Sequence, residues 1–280
     1  MDAGDKQYEC TARGLFRKKN IKPYVGDVVE ITDIDDVNGE AVLDKIEKRK
    51  NQLIRPAVAN IDQLIVVFAV GQPAPDFMLI DKLLVTAEYK GIECVLCMNK
   101  VDLNDENEYI EYREQFEKAG YKVINVSCED ILGIEHVKKA LKGKCSAFAG
   151  QSGVGKSTIL NTIGNKQLME TGAVSRKIER GKHTTRHAEL IPLGDSTYIV
   201  DTPGFSSFEI ENVDYRDIGK YYPEINNLLA HCRFNGCSHI SEPECAVKEA
   251  VEKSEMHPDR YKRYIQLFNQ LKEIYDNKYR

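Results

Sequence analysis

Asn99-Lys100-Val101-Asp102, Gly150-Gln151-Ser152-Gly153-Val154-Gly155-Lys156-Ser157 and Asp201-Thr202-Pro203-Gly204 follow one another in that order along a chain of 280 residues. The second stretch has the form G-x4-G-K-S. The apolar run Cys145–Ala149 in front of it predicts a strand, and residues 156 to about 163 predict a helix. In that strand-to-helix context the glycines let backbone N–H groups converge on phosphate oxygens, and the helix N-terminus adds a favourable partial charge. Lys156 is expected to bridge the β and γ phosphates and Ser157 to ligate magnesium, with Gly150, Gln151, Ser152, Gly153, Val154, Gly155 and Thr158 completing the cradle. The third stretch places Asp201 where it holds that magnesium through water, and the Gly204 N–H near the γ-phosphate.

A phosphate loop does not tell adenine from guanine, but Asn99-Lys100-x-Asp102 does. Placed after a predicted strand at 93–98, the Asp102 carboxylate accepts two hydrogen bonds from the N1–H and 2-amino groups of guanine. Adenine lacks that pairing, and a site built for it rejects adenine strongly. Val126-Ser127-Cys128 ends the next predicted strand, at the place for a Ser-Ala-x loop whose backbone contacts the guanine carbonyl; Cys128 stands where alanine is usual. In an ordinary guanine-nucleotide domain the phosphate loop comes first and the base-reading tetrapeptide well after it. Here the second half precedes the first, which is the signature of circular permutation.

The flanking text sets the architecture. Segments 8–13, 24–34, 40–47 and 51–55 are short and β-compatible, broken by turn signals such as Asp35-Asp36-Val37-Asn38-Gly39, and predict a small barrel. From Asp62 the pattern becomes strand 63–70, helix 77–90, strand 93–98, helix 106–119, strand 122–126 and helix 134–141, which implies a parallel sheet with helical crossovers. A hairpin, 187–193 with 197–200, delivers Asp201 at its end. Ligands of open α/β sheets bind beyond the carboxyl ends of the strands, so the three motifs are expected on one edge. From Tyr215 the text is helical and charged, closing with Tyr261, Tyr264, Ile265, Phe268 and Leu271 at helical spacing within 259–279. The expected division is a barrel over 1–58, a permuted α/β nucleotide domain over 59–213, and a helical domain over 214–280.

Phe205 follows the D-x-x-G motif at the position where many GTPases carry the glutamine that orients water. Phenylalanine does not do that job, so the replacement is sought in Gly181-Lys182-His183-Thr184-Thr185-Arg186, the expected first switch. Thr184 or, by preference, Thr185 completes the magnesium shell, and His183 is the candidate to position water.

The chain is expected in the cytoplasm, and eight cysteines in that reducing compartment do not predict a disulfide framework. Cys94-x-x-Cys97 sits inside a predicted strand, where residues three apart point to opposite faces, and reads as buried thiols. Cys232-x4-Cys237-x-His239-x5-Cys245 gathers three thiols and an imidazole, the Cys3His set of closed structural zinc sites; His231 is a neighbouring alternative to His239. Such a site leaves no coordination position open for hydrolysis. Net charge is -5, which argues against coating nucleic acid through bulk positive charge. Local basic clusters exist at Arg13, Arg17, Lys18, Lys19 and Lys22, and at Arg176, Lys177, Arg180, Lys182 and Arg186. The run Leu64 to Val70 is far below the roughly 20 residues needed to cross a bilayer, so no membrane partner is expected.

Taken together, the permuted order, the hydrophobic residue after D-x-x-G, Gly181-Lys182-His183-Thr184-Thr185 and the Cys/Cys/His/Cys cluster resemble the ribosome small-subunit-dependent GTPase A family, RsgA, also called YjeQ or YloQ. The resemblance extends through Arg13-Gly14-x-Phe16-Arg17, Val25-Gly26-Asp27, Arg49-x-Asn51-x-Leu53-x-Arg55-Pro56 and Asn60-Ile61-Asp62. It implies an N-terminal OB-fold, a permuted GTPase core and a C-terminal zinc domain. The implied activity is late maturation of the small ribosomal subunit, with GTP and GDP as ligands and contacts to that subunit and its rRNA. Hydrolysis in the family is slow alone and stimulated by the subunit, with the switch histidine, here His183, implicated. Family members usually carry one more strand before the 8–13 region, so either the barrel is expected to lack its first strand or the start of the chain is misassigned. A monomer is expected. Two other readings follow from the residues: an RNA-binding protein using nucleotide only as a conformational ligand, motivated by Phe205, and an ATP-using P-loop enzyme, which requires Asp102 to be irrelevant.

Overall fold

The computed structural model describes residues 1–3, 6–54, 57–103, 105–164, 188–201, 210 and 213–278. In the N-terminal unit, β1 (Glu9–Ala12), β2 (Val29–Asp35) and β3 (Glu40–Ile46) form a sheet in the order β1-β3-β2, with β1 parallel and β2 antiparallel to β3. The predicted turn between β2 and β3 forms because Asp35 accepts hydrogen bonds from the N–H groups of Val37 and Asn38, and Gly39 adopts φ 69°. A short helix, α1 (Gly14–Lys18), follows β1. The predicted 24–34 strand begins only at Val29, since Asp27 accepts the Tyr24 N–H and Gly26 turns the chain at φ 88°. Of 51–55, Gln52–Leu53 (β4) pairs, with Val58–Ala59 (β5).

Of the stretches that carry the family resemblance, Val25-Gly26-Asp27, Arg49 to Asn51 and Asn60-Ile61 make the seam between this unit and the core. A Cβ on Gly26 would lie 2.2 Å from the Ala59 carbonyl oxygen, so only glycine fits. Arg49 forks onto Asp27 at 2.7 and 2.9 Å and lies 4.1 Å over the Tyr24 ring. Asn51 exchanges two hydrogen bonds with the Ile61 backbone, and Asn60 donates to Gly26 O.

Gln63–Ala69 (β6) is buried at every position, as expected of a strand covered on both faces. It is followed by α2 (Phe77–Lys90), β7 (Glu93–Asn99), α3 (Glu106–Glu117), β8 (Lys122–Val126), α4 (Ile134–Leu141), β9 (Cys145–Ala149), α5 (Lys156–Gly164), β10 (Glu189–Gly194) and β11 (Thr197–Asp201). These strands form one sheet in the order β10-β11-β9-β6-β7-β8, parallel except for the β10–β11 hairpin. Alternation along β7 sends Cys94 into the core with α2 and α3, and Cys97 into the core with α4 and α5. Both thiols are buried, and burial pushes Cys97 up to about 12, so they are inert packing groups.

After the core come α6 (Pro223–Asn226), α7 (Ala246–Glu252) and α8 (Pro258–Lys278), with 3-10 turns at Tyr215–Tyr221 and Leu229–His231. Ile218, Tyr222, Ile225, Tyr264, Leu267 and Phe268 pack into one cluster with Val85 of α2. The C-terminal module is thus seated on α2. A buried polar group strengthens that seat: Arg260 donates to Asp81 at 2.6 Å and to Glu224 at 2.5 Å, and Arg263 to Asp81 at 2.6 Å and to Gln115 at 2.8 Å. No helix among the described residues is long and apolar enough to cross a membrane.

Candidate nucleotide site and metal centre

Strand register assembles the motifs. Asn99 stands beside Ala69 on one side and Val126 on the other, Ala149 pairs with Val66, and Val200 pairs with Ala147. The residues that follow, Lys100, Ser127, Gly150 and Asp201, therefore leave the sheet at one carboxyl edge. The permutation changes chain order without changing this edge.

The phosphate loop is fixed by glycine where nothing else fits. Gly150 has φ 135°, and a Cβ there would lie 2.0 Å from Val67 O; Gly155 has φ 95°, and its Cβ would lie 2.3 Å from Asn99 Nδ2. Asn99 is 3% exposed and donates through Nδ2 to Val154 O at 2.8 Å. Lys100, itself at φ 63°, spans the site, donating to Gly153 O at 3.0 Å and to Gln72 O at 2.6 Å. Two residues of the base-reading motif thus brace the phosphate loop from below. Lys156 folds over the loop, its ammonium 2.8 Å from both Gly150 O and Gln151 O, and burial lowers its pKa below that of an ordinary lysine. Val154 is buried, Ser157 half-buried, and Ser152, Gly153 and Thr158 are exposed at the mouth.

Asp102 lies on a 3-10 turn, Val101–Leu103, with its side chain exposed. Ser127 is buried; its N–H donates to Leu132 O and its hydroxyl accepts the Asp130 N–H, which closes the loop after β8. Gly133 ends that loop at φ 73°, and a Cβ there would strike Asn125 O at 1.9 Å, a requirement the motif reading had missed. Half-buried Cys128 sits close to Asp102. Burial pushes its thiol up, against a hydrogen bond with Thr162, and the Asp102 carboxylate acts in the same direction as burial. Asn99, Lys100, Asp102, Ser127, Cys128 and residues 150–158 are therefore gathered at one edge of the sheet. Asp201 closes β11, with its side chain outside the described residues. His183, Thr184, Thr185 and Gly204 lie outside them altogether, as do Phe205 and the second basic cluster.

The second centre is Cys232, Cys237, His239 and Cys245, whose ligand atoms all lie within 4.8 Å of one another. His239 Nδ1 is 3.5 Å from both Cys232 Sγ and Cys245 Sγ, and those sulfurs are 4.0 Å apart. A tetrahedral ion at about 2.0 Å from nitrogen and about 2.3 Å from sulfur fits edges of that size. Burial pushes the Cys237 thiol up to about 12, so Cys237 needs a cation to become a thiolate. The cluster has the donor set and the spacing to hold a metal ion. His231, the neighbouring alternative, is exposed and outside it.

His239 holds φ 60°, unusual for a non-glycine residue, and the sequence had not shown what stabilises it. Glu242 accepts from Ser238 N and Oγ and from the N–H groups of Ile240 and Ser241, while Tyr261 and Tyr264 of α8 donate to His239 O and Ser238 O. Glu242→Gln would trade an acceptor-only carboxylate for an amide with one wrong group. It is expected to weaken metal retention about 10- to 100-fold, measured by competition with a chromogenic chelator; unchanged retention would remove Glu242 from the site.

A sheet whose base-reading strands precede its phosphate-loop strand, with the loop braced by Asn99 and Lys100, defines a circularly permuted P-loop GTPase bearing a Cys3His module. Comparison with known proteins narrows the class. The family profile of the RsgA GTPase matches residues 46–211, and that of the RsgA N-terminal domain matches residues 1–41. The small ribosomal subunit biogenesis GTPase RsgA of Ruminiclostridium cellulolyticum is 51% identical over 267 residues, covering 95% of this chain and 87% of that protein. That of Agathobacter rectalis is 46% identical, covering 96% and 89%. The crystal structure of YjeQ from Thermotoga maritima superposes with a TM-score of 0.79 at 40% identity, over 94% of this chain and 89% of that one. YloQ, described as a circularly permuted GTPase, gives 0.78 at 33%, over 97% and 88%. The chain belongs to the RsgA GTPase family.

Proposed function

We propose that this chain hydrolyses GTP as a late checkpoint in maturation of the small ribosomal subunit, with hydrolysis stimulated by the subunit and coupled to release. The observation that carries the reading is the joining of the base-reading motif to the phosphate loop through Asn99 and Lys100, in a chain 51% identical to a protein named for that role. Asp102, with Ser127 and Cys128, reads guanine, and residues 150–158 hold the phosphates. Ser157 and Thr185, or Thr184 in its place, would ligate magnesium, Asp201 would hold it through water, and the Gly204 N–H would lie near the γ-phosphate. Magnesium would supply charge neutralisation at the β and γ phosphates. His183 positions the attacking water, the task Phe205 does not perform. Zinc at Cys232, Cys237, His239 and Cys245 is structural.

The domains divide at 58/59 and 213/214, and the protein works as a cytoplasmic monomer on rRNA of the subunit, cycling between GTP and GDP. A cleft of about 730 Å³ in the N-terminal unit, lined by Lys19, Lys22 and Tyr24 but also by Asp44 and Glu47, is the candidate for the rRNA contact. The test is hydrolysis of GTP against ATP with and without purified small subunits. GTP turnover should rise with subunits, vanish in Lys156→Ala and drop strongly in His183→Ala. No stimulation by subunits would overturn the checkpoint. Phosphate release unaffected by both substitutions would instead favour the nucleotide-regulated RNA-binding protein that Phe205 allows.

A further inference from the structure

Phe234 is the one phenylalanine or tyrosine ring classed as exposed among the described residues, at 43%. It sits on the loop between two metal-ligating residues, Cys232 and Cys237, and that loop is closed by a hydrogen bond from Cys237 N to Phe234 O and by Gly236 at φ 73°. The Arg233 guanidinium lies 5.5 Å from the ring centroid and forms an ion pair with Glu244, the residue before the ligand Cys245. An exposed apolar ring on a mobile tip is a liability; one on a turn pinned at both ends is preorganised for a flat partner.

Resting on the reading that the protein binds the small subunit, we propose that Phe234 is a stacking platform for one unpaired nucleobase of the subunit's RNA. The chemistry of the surround selects this partner. Its chain neighbours Arg233, Asn235 and Gly236 are all exposed and offer no apolar side chain, whereas a protein hot spot needs a water-excluding apolar surround. A nucleobase needs only a π face, with polar groups at its edges, and stacking on aromatic rings and arginine planes is how single-stranded RNA is held. Glu244 already neutralises Arg233, so the contact is made to the base rather than to phosphate, and its contribution should depend little on salt.

The chain contains no tryptophan, which supplies a clean probe. Phe234→Trp, in the metal-loaded full chain, places a single indole on the platform. Addition of purified small subunits with a non-hydrolysable GTP analogue should quench its emission, as stacking on a base does, and the quench should survive a rise in salt that leaves the complex intact. Phe234→Ala should bind subunits roughly tenfold more weakly while retaining its metal and its unstimulated GTP hydrolysis, and Phe234→Tyr should restore binding. Co-sedimentation of the unsubstituted chain serves as the reference. If it co-sediments and the Phe234→Trp emission is unchanged, or shifts to the blue without quenching as in an apolar protein pocket, the platform is overturned and the checkpoint stands. If the unsubstituted chain does not co-sediment, the functional reading falls, and the platform with it.

Discussion

Stripping the metal with a strong chelator is expected to unfold the segment around residues 228–246 and loosen α7 from its seat, while the α/β core keeps its structure. The described part of this segment holds only the 3-10 turn Leu229–His231 before α7 begins at Ala246. Its fully buried groups are few, chiefly His239 and Cys245, and both are ligands. Hydrophobic burial therefore contributes little here, and the ion would link four points that the backbone alone leaves apart. Apparent free energies for structural zinc in small domains run to about 10–16 kcal/mol at neutral pH, enough to decide whether such a segment is ordered. Tyr261 and Tyr264 would lose their acceptors at His239 and Ser238, which extends the damage to the inner face of α8. Hydrogen exchange should show protection lost over 228–252 and kept in β6 and β7. Equal exchange with and without chelator would show that the cluster does not hold the segment.

What could be read in the sequence follows a physical division. The core strands and helices were legible to within one or two residues because burial on both faces, or on one helical stripe, writes itself into local periodicity. The opposite-facing thiols Cys94 and Cys97 came from the same rule. The phosphate loop and the metal ligands were legible because each is a short sequence whose chemistry needs fixed spacing. The groups that support them were not. Lys100 reaching Gln72 O depends on where a loop returns over the sheet edge, and Glu242 organising the His239 turn is one acidic residue among 44 Asp and Glu until the fold closes around it. The stretches Val25-Gly26-Asp27 and Asn60-Ile61-Asp62 carried the family resemblance without a reason, and the structure supplies one, because they are the joint between the N-terminal unit and the core. Arg260 reads as a surface charge on α8, yet it is 1% exposed. Its partner Asp81 is 179 residues away, so no local pattern could have announced the pair.

Removing that partner should be among the most damaging single substitutions in the chain: Asp81→Ala is expected to destabilise the protein by about 3–5 kcal/mol. Asp81 is 0% exposed and accepts from two arginines, Arg260 and Arg263. Burial works against the charge of Arg260, but Glu224 and Asp81 outweigh it and hold the group charged. The Phe116, Tyr121 and Tyr222 rings, 4.8 to 5.6 Å from its guanidinium, add attraction without relieving the need for a counter-charge. Without Asp81, two guanidinium groups share Glu224 and the carbonyl of Gln115 in a site closed to water. Because Asp81 belongs to α2 and the arginines to α8, the loss acts at the joint between the core and the C-terminal module. Urea unfolding should then show the module separating first, by hydrogen exchange or by the tyrosine signal, with the α/β core following at its own midpoint. Asp81→Asn separates charge from shape: it keeps the volume and an acceptor, so a cost close to that of alanine assigns the effect to the missing charge. Replacing the whole network, Asp81→Leu with Glu224→Leu, Arg260→Met and Arg263→Met, leaves no charge unpaired and should recover much of the loss, since buried ion pairs exchanged for apolar groups of similar size are often neutral or stabilising. A change below about 1 kcal/mol for Asp81→Ala would mean that water enters the joint and that the buried pair does not hold the module.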